Sequence, residues 1–132
     1  MLKTSGIDER GMEMKREILF RGKKIVNGEW VEGNLFHHSE QRFIAGNNRN
    51  TEVIPETVGQ YTGLTDRNGV KIFEGDIVKR KGTFYEVKYS TELTSFLAFS
   101  SNGFFNPVVF QNCEVIGNVH DNPELLKGEE NG

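Results

Sequence analysis

The 132-residue chain carries 16 Lys and Arg against 19 Asp and Glu, which gives a net charge of −3. This acidic total argues against a generic affinity for nucleic acid, which comes from neutralising phosphates with basic side chains. The length suits one domain, or two small subdomains that share a core, and such a chain folds without disulfides. The 15 Gly and 10 Phe residues favour strands and turns over helices, so we predict a mainly β fold.

The cysteine content and the hydrophobic pattern of the chain bear on its compartment and on membrane association. The single cysteine, Cys113, excludes an intrachain disulfide and a Cys-based metal cluster, and indicates a reducing, cytoplasmic location. No apolar run approaches the ~20 residues of a membrane span, and residues 1–14 lack the hydrophobic segment of a secretory signal. We expect residues 1–14 to be a disordered extension and residues 127–132 to be a frayed acidic tail.

Short apolar runs separated by turn residues predict a β-meander over residues 15–54. Asn27-Gly28 lies between two such runs and predicts a hairpin, because both residues reach positive φ readily. In the second arm we place Trp30 in the core, and the imperfect alternation around Gly33 is typical of a β-bulge. A third short strand covers residues 41–46.

Residues 55–74 are interpreted as a connecting segment. Pro55 ends the incoming strand and is compatible with one short helical turn. Asn68-Gly69 between apolar runs predicts a second hairpin with a two-residue loop.

From residue 75 onward the pattern predicts a small barrel. Glu74-Gly75-Asp76 forms a turn before a strand, and residues 83–90 alternate as a half-buried strand should. Further short strands around residues 95–99, 108–110 and 113–119 complete an antiparallel SH3-like barrel over residues 75–120, in which closure removes exposed edges. Asn122 and Pro123 predict a short terminal helix over residues 122–126, with Asn122 as its cap.

One run of residues resembles the signature of a known family. Residues 57–64 (TVGQYTGL), Asp66, Asn68-Gly69, Ile72 and residues 74–78 (EGDIV) resemble the YopX family. Residues 16–21, Trp30, Gly33, residues 116–119 and residues 122–126 agree with it, so the resemblance covers about residues 15–126. It implies a small phage or prophage protein, mostly β, with a C-terminal SH3-like barrel and a tendency to self-assemble. It implies no activity and assigns no site residue.

Three groups of polar residues are candidates for a metal site, a calcium loop or an acid–base pair. His37, His38 and His120 lack a recognised ligand spacing, and adjacent strand residues point to opposite faces, so we predict no metal site. The segment beginning at Asp66 lacks the Gly and Glu positions of a calcium loop. Glu74 and Asp76 are two residues apart, as paired carboxylates could be, but a turn before a strand explains them equally. We expect no cofactor.

A basic segment beside aromatic residues is the best candidate binding site. It consists of Lys79, Arg80 and Lys81 together with Phe84 and Tyr85, the combination with which small barrels hold single-stranded nucleic acid. The alternative is a solvated hairpin tip, or an edge strand that its lysines protect from aggregation.

We therefore predict a non-enzymatic protein that acts as a self-assembling or interaction module, most simply as a homo-oligomer. The number of aromatic residues exceeds what so short a chain can cover, and an exposed aromatic patch would mark the interface. A nucleic-acid-binding accessory factor that uses residues 79–81 is the alternative, and a small hydrolase is the third.

Overall fold

The computed structural model describes residues 17–101, 103–105 and 112–131. The prediction of a disordered extension at residues 1–14 and that of a strand at residues 108–110 lie outside these residues. The described part contains eleven strands, a 3-10 turn at Pro55–Thr57 and one helix, so the mainly β prediction is confirmed. The strands are β1 Phe20–Lys23, β2 Trp30–His38, β3 Gln41–Gly46, β4 Arg49–Val53, β5 Gly59–Thr65, β6 Lys71–Phe73, β7 Asp76–Arg80, β8 Thr83–Ser90, β9 Ser95–Ser100, β10 Gly103–Phe105 and β11 Glu114–Asn118, and the helix is α1 Glu124–Asn131.

The first sheet has six antiparallel strands in the order β4-β3-β2-β1-β5-β6, of which β1 to β4 form a meander. A bridge between Lys24 and Val53 joins the end of β1 to β4, and Ile54 donates its N–H to the Lys23 carbonyl at 2.8 Å. The first and last strands of the meander therefore meet, and the sheet curls around Ile44 and Val53, which are fully buried. The segment 55–74, expected to be a connection, supplies two strands of this sheet.

The second sheet is a five-stranded antiparallel meander in the order β10-β9-β8-β7-β11. Its last strand returns to pair with its first, since Glu114 lies opposite Lys79 and Val115 opposite Val78. Within the described residues β10 and β11 do not pair, so the sheet is open and the predicted closure into an SH3-like barrel is not confirmed.

One apolar core joins the two sheets. The inner face of the second sheet contributes Val78, Val87, Ala98 and Phe105, and Ile72 of β6 packs among them. The β5–β6 hairpin of the first sheet therefore lies over the second sheet, and the family-like segment 57–78 contributes to both. Trp30, expected in the core, is only half-buried and lies beside charged side chains.

The hairpin loops differ from the two-residue turns expected at the Asn-Gly pairs. Between β5 and β6 the loop is residues 66–70, and Gly69 donates its N–H to the Asp66 carbonyl at 3.0 Å. Only Gly69 of its pair has a positive φ, +81°. Two-residue loops with positive φ at both positions, as a type I′ turn requires, occur instead at Asn47-Asn48, with φ of +50° and +63°, and at Lys81-Gly82, with φ of +51° and +82°.

The C-terminal helix is longer than the sequence indicates. Pro123 precedes its first residue, and the helix continues to Asn131 through the residues expected to fray. Asn118 and Asn122 fix the preceding turn, because the Asn122 N–H donates to the Asn118 carbonyl at 2.8 Å and the Asn122 side chain accepts the Asn118 N–H at 3.2 Å.

Candidate functional site

The β7–β8 hairpin separates the five predicted binding residues into two groups. Lys79 lies opposite Phe84 on one face of the second sheet, and Arg80 lies opposite Thr83 on the other. Lys79 Nζ lies 5.9 Å from the centroid of the Phe84 ring, while Lys81 is exposed at the tip of the hairpin. Lys79, Lys81 and Phe84 therefore stay together near the outer face of the sheet.

Arg80 and Tyr85 point to the inner side. The Arg80 guanidinium carbon lies 4.9 Å from the centroid of the Phe105 ring, and Tyr85 meets the same ring edge-on at 4.7 Å. Because Phe105 and Tyr85 belong to the apolar core, these two predicted site residues contribute to packing. Alternation along the strands separates them from the outer face.

The outer face of the second sheet carries a cluster of aromatic residues whose proximity was not predicted from the sequence. Glu86 lies opposite Phe99 on β9, and Phe99 lies opposite Phe104 on β10. The Phe99 and Phe104 rings are 5.7 Å apart, and 56% of Phe104 is exposed. We call this surface the outer aromatic face; it consists of Phe84, Phe99 and Phe104 with Lys79, Lys88, Glu86 and Glu114.

Charges of both signs alternate across the outer aromatic face. Lys88 Nζ lies 5.7 Å from the Phe99 ring centroid and 3.9 Å from a Glu86 carboxylate oxygen. Glu114 on β11 is the neighbour of Lys79. The face therefore combines aromatic rings on β8, β9 and β10 with acidic and basic groups on β7, β8 and β11.

Helix α1 covers one side of the outer aromatic face. Leu126 lines a cavity of about 240 Å³ together with Phe84, Lys88 and Phe99. Leu126 is half-buried at this contact, whereas Phe104 stays 56% exposed.

The buried carboxylate of Asp66 holds the β5–β6 loop to β11. Its two oxygens accept the N–H groups of Asn68 at 2.8 Å, Val70 at 2.9 Å and Val115 at 2.8 Å. Burial alone would raise the pKa of Asp66, but these three hydrogen bonds and Arg67 outweigh it and lower the pKa. The sequence marked Asp66 only as a turn residue, because its bond to Val115 spans 49 positions.

A second buried carboxylate, Asp76, forms an ion pair between the sheets. Arg21 donates from Nη2 to Asp76 at 2.8 Å, and the Phe73 N–H donates to the other oxygen at 2.7 Å. The guanidinium lies 4.5 Å from the Trp30 ring centroid and 4.8 Å from that of Phe73. Burial raises the pKa of Asp76, and Arg21 opposes that shift. The described partners of the Asp76 carboxylate are thus Arg21 and the Phe73 N–H, and not Glu74.

The Asp121 carboxylate accepts hydrogen bonds from polar side chains beside this ion pair. It accepts hydrogen bonds from Lys23 and from the Trp30 indole, the latter at 3.0 Å. These bonds lower the pKa of Asp121 to about 2. Burial, together with Arg21 and Lys23, lowers the pKa of His120, whose ring lies 5.9 Å from that of Trp30.

The remaining candidate features are the Cys113 thiol, clusters of metal-binding side chains and membrane-spanning helices. Cys113 is fully buried, and burial raises the pKa of its thiol to about 11, so the thiolate is scarce at neutral pH. Within residues 17–101, 103–105 and 112–131, no three His, Cys, Asp or Glu side chains converge as a metal site. In the same part of the chain, no helix is long and apolar enough to span a membrane.

Comparison with known proteins identifies the family. The sequence profile described as YopX protein matches residues 6–127. The chain belongs to the YopX family. No curated protein is significantly similar to this YopX-family chain. Its fold is similar to the crystal structure of protein EF1440 from Enterococcus faecalis, with a TM-score of 0.54 and 26% sequence identity over 85% of this chain and 99% of that one.

Proposed function

We propose that this YopX-family protein is a non-enzymatic interaction module that self-associates through the outer aromatic face. The observation that carries the proposal is the exposure of Phe104, 56%, beside Phe99 on a sheet face that bears charges of both signs. Exposed aromatic side chains are enriched at protein interfaces relative to the rest of the surface.

The buried ionisable groups support a structural rather than a catalytic use. The Asp66 carboxylate accepts three hydrogen bonds from backbone N–H groups, and Asp76 forms an ion pair with Arg21. The high pKa of Cys113 makes its thiol a poor nucleophile. These groups hold the two sheets together, which leaves the surface of the protein as the place where it acts.

The charge pattern favours a second copy of the same chain as the partner. In a twofold interface the same patch occurs on both subunits, so each Lys can meet a Glu of the other copy. Lys88 and Glu86 lie 3.9 Å apart, and Lys79 lies beside Glu114. A face with alternating signs is complementary to itself when two copies meet in opposite orientation.

Sedimentation equilibrium of the full chain tests the proposal. Phe104→Ser should weaken self-association at least about tenfold, the effect of removing an aromatic side chain from an interface. Phe36→Ser is the matched control, because Phe36 is also exposed, 38%, but lies on the first sheet; it should leave association unchanged. A strictly monomeric wild-type protein at high micromolar concentration, or equal effects of both variants, would contradict the proposal.

Single-stranded nucleic acid is the second candidate ligand for this face. The observation in its favour is that Lys79 and Lys88 each lie within 6 Å of a phenylalanine ring centroid, as stacking sites with basic side chains require.

Fluorescence anisotropy with a labelled oligonucleotide separates the two candidates. Nucleic-acid binding should be salt-sensitive, should be lost in Lys79→Ala/Lys81→Ala, and should strengthen in Glu86→Lys, which adds positive charge. Arg80→Ala is the control, because Arg80 lies on the inner side. The absence of binding at low salt would exclude this candidate.

A further inference from the structure

A second cleft lies between the two sheets, away from the outer aromatic face. It has a volume of about 410 Å³ and is lined by Gln60, Glu74, Tyr89 and Phe96. We propose that this cleft binds the cationic side chain of a lysine or arginine presented by a protein partner.

The polar wall of the cleft is held rigidly by the first sheet. Glu74 donates its backbone N–H to the Gln60 carbonyl at 2.9 Å, and the next residue, Gly75, donates to Val87 of β8 at 2.9 Å. A side chain at Gly59 would place its Cβ 2.5 Å from the Glu74 carbonyl oxygen. The close approach of Gly59 fixes Glu74 against β5, and the hydrogen bond from Gly75 to Val87 places it beside β8, the strand that carries Tyr89.

The aromatic wall comes from the second sheet. Tyr89 lies opposite Phe96, and the two rings meet edge-on with centroids 5.1 Å apart and an angle of 73° between their planes. Tyr89 is 45% exposed, so its ring is accessible from the cleft. Aromatic rings attract cations electrostatically, and adjacent rings strengthen this attraction.

The Glu74 carboxylate supplies the charge for such a site. Its one hydrogen bond among the described contacts is a long one from the Gln60 N–H, 3.4 Å. No ion pair within the described part of the chain includes Glu74. A carboxylate next to two aromatic rings selects a positively charged group, because it adds a charge-assisted hydrogen bond to the cation–π attraction.

The open shape of the cleft favours a side chain over a free metabolite. Small-molecule sites enclose most of their ligand's surface, whereas this cleft is open to solvent between its polar and aromatic walls. One cationic side chain fits into it, while the rest of the partner would be held by contacts outside. The site is separate from the outer aromatic face and does not depend on self-association.

Amide chemical shifts in two-dimensional NMR spectra of the full chain test the site. The probes are the N-acetyl methylamides of lysine and arginine, and the uncharged comparison is the norleucine derivative, which has nearly the shape of lysine without its charge. At least one cationic probe should cause saturable shifts at Gln60, Glu74, Gly75 and Phe96, and the norleucine derivative should cause none.

Two variants complete the test. Glu74→Gln should weaken binding of the cationic probe at least about tenfold, in proportion to the lost charge-assisted bond, whereas Glu56→Gln, at an exposed position of the 3-10 turn, should not. Equal shifts with norleucine, an unchanged affinity of Glu74→Gln, or no saturable shift by 50 mM probe (roughly the weak limit for a single contact) would each overturn the proposal.

Discussion

Asp66 shows how one side chain can hold distant parts of the chain together. Its carboxylate accepts two N–H groups of its own loop and one from β11 of the other sheet. Because Asp66 is almost fully buried, at 4% exposure, any N–H that lost this acceptor would have little water to replace it. We therefore expect the loop and the second sheet to lose stability together when Asp66 is changed.

The Asp66→Ala variant should lower the free energy of unfolding by roughly 3 kcal/mol, because buried N–H groups would lose a charged acceptor. Asp66→Asn keeps one acceptor oxygen and should cost less. Urea denaturation followed by circular dichroism measures both, with Glu92→Ala, at an exposed position of the loop between β8 and β9, as the control. Losses below about 1 kcal/mol in Asp66→Ala would contradict the role described here.

The lowered pKa of Asp66 predicts a pH dependence of stability with a definite sign. Since folding favours the charged form, the stabilisation is complete above the unfolded pKa, about 3.9, and is lost as the pH falls through the folded pKa. The difference in unfolding free energy between the wild type and Asp66→Asn should be constant above about pH 5 and shrink on acidification. A difference that grew toward low pH would be evidence against the assignment. Most of the opposite shift of the Asp76 pKa is common to both proteins, because the charge of Asp66 is the smallest of its causes.

At the scale of elements, local sequence patterns predicted several strands and hairpins of both sheets. Asn27-Gly28 lies in the loop between β1 and β2, and the alternation at residues 83–90 corresponds to β8. The pattern could not predict the form of the loops, because Asp66 reorganises the loop that contains Asn68-Gly69. It also could not show which face of β8 meets solvent, since that depends on which elements pack against each face.

Gly33 illustrates the same limit. The alternation around Gly33 is typical of a bulge, but the pairing of β2 with both β1 and β3 is regular. Phe20 lies opposite Gly33, and Asn34 lies opposite Ala45. A Cβ at Gly33 would lie 2.2 Å from the Ala45 carbonyl oxygen. Close approach of β3 is therefore the reason for this glycine.

Gly33→Ala should destabilise the first sheet by about 2 kcal/mol or more, because the β2 and β3 backbones must separate to accept a methyl group. Thermal unfolding measures the effect, and Asn34→Ala at the adjacent exposed position is the control. A melting temperature of Gly33→Ala equal to that of the control would show that the two strands adjust without cost.

At the scale of the whole molecule, long-range pairs join the two sheets, and these were not predictable from sequence. Arg21 and Asp76 are 55 positions apart, and the outer aromatic face combines residues from β7 to β11. The sequence indicated an excess of aromatic side chains, and exposed aromatic residues are indeed present. Their grouping required the register of four strand pairs, which a pattern of residue types does not contain.

Self-association through a self-complementary charged face is the central claim, and a charge-exchange experiment tests it most directly. Lys88→Glu makes the centre of the face more acidic, and Glu86→Lys makes it more basic. Sedimentation velocity is measured on each variant alone and on their equimolar mixture. We predict that each variant alone is more monomeric than the wild type and that the mixture associates at least as strongly as the wild type. A mixture that sediments as the sum of two unassociated variants would contradict the account.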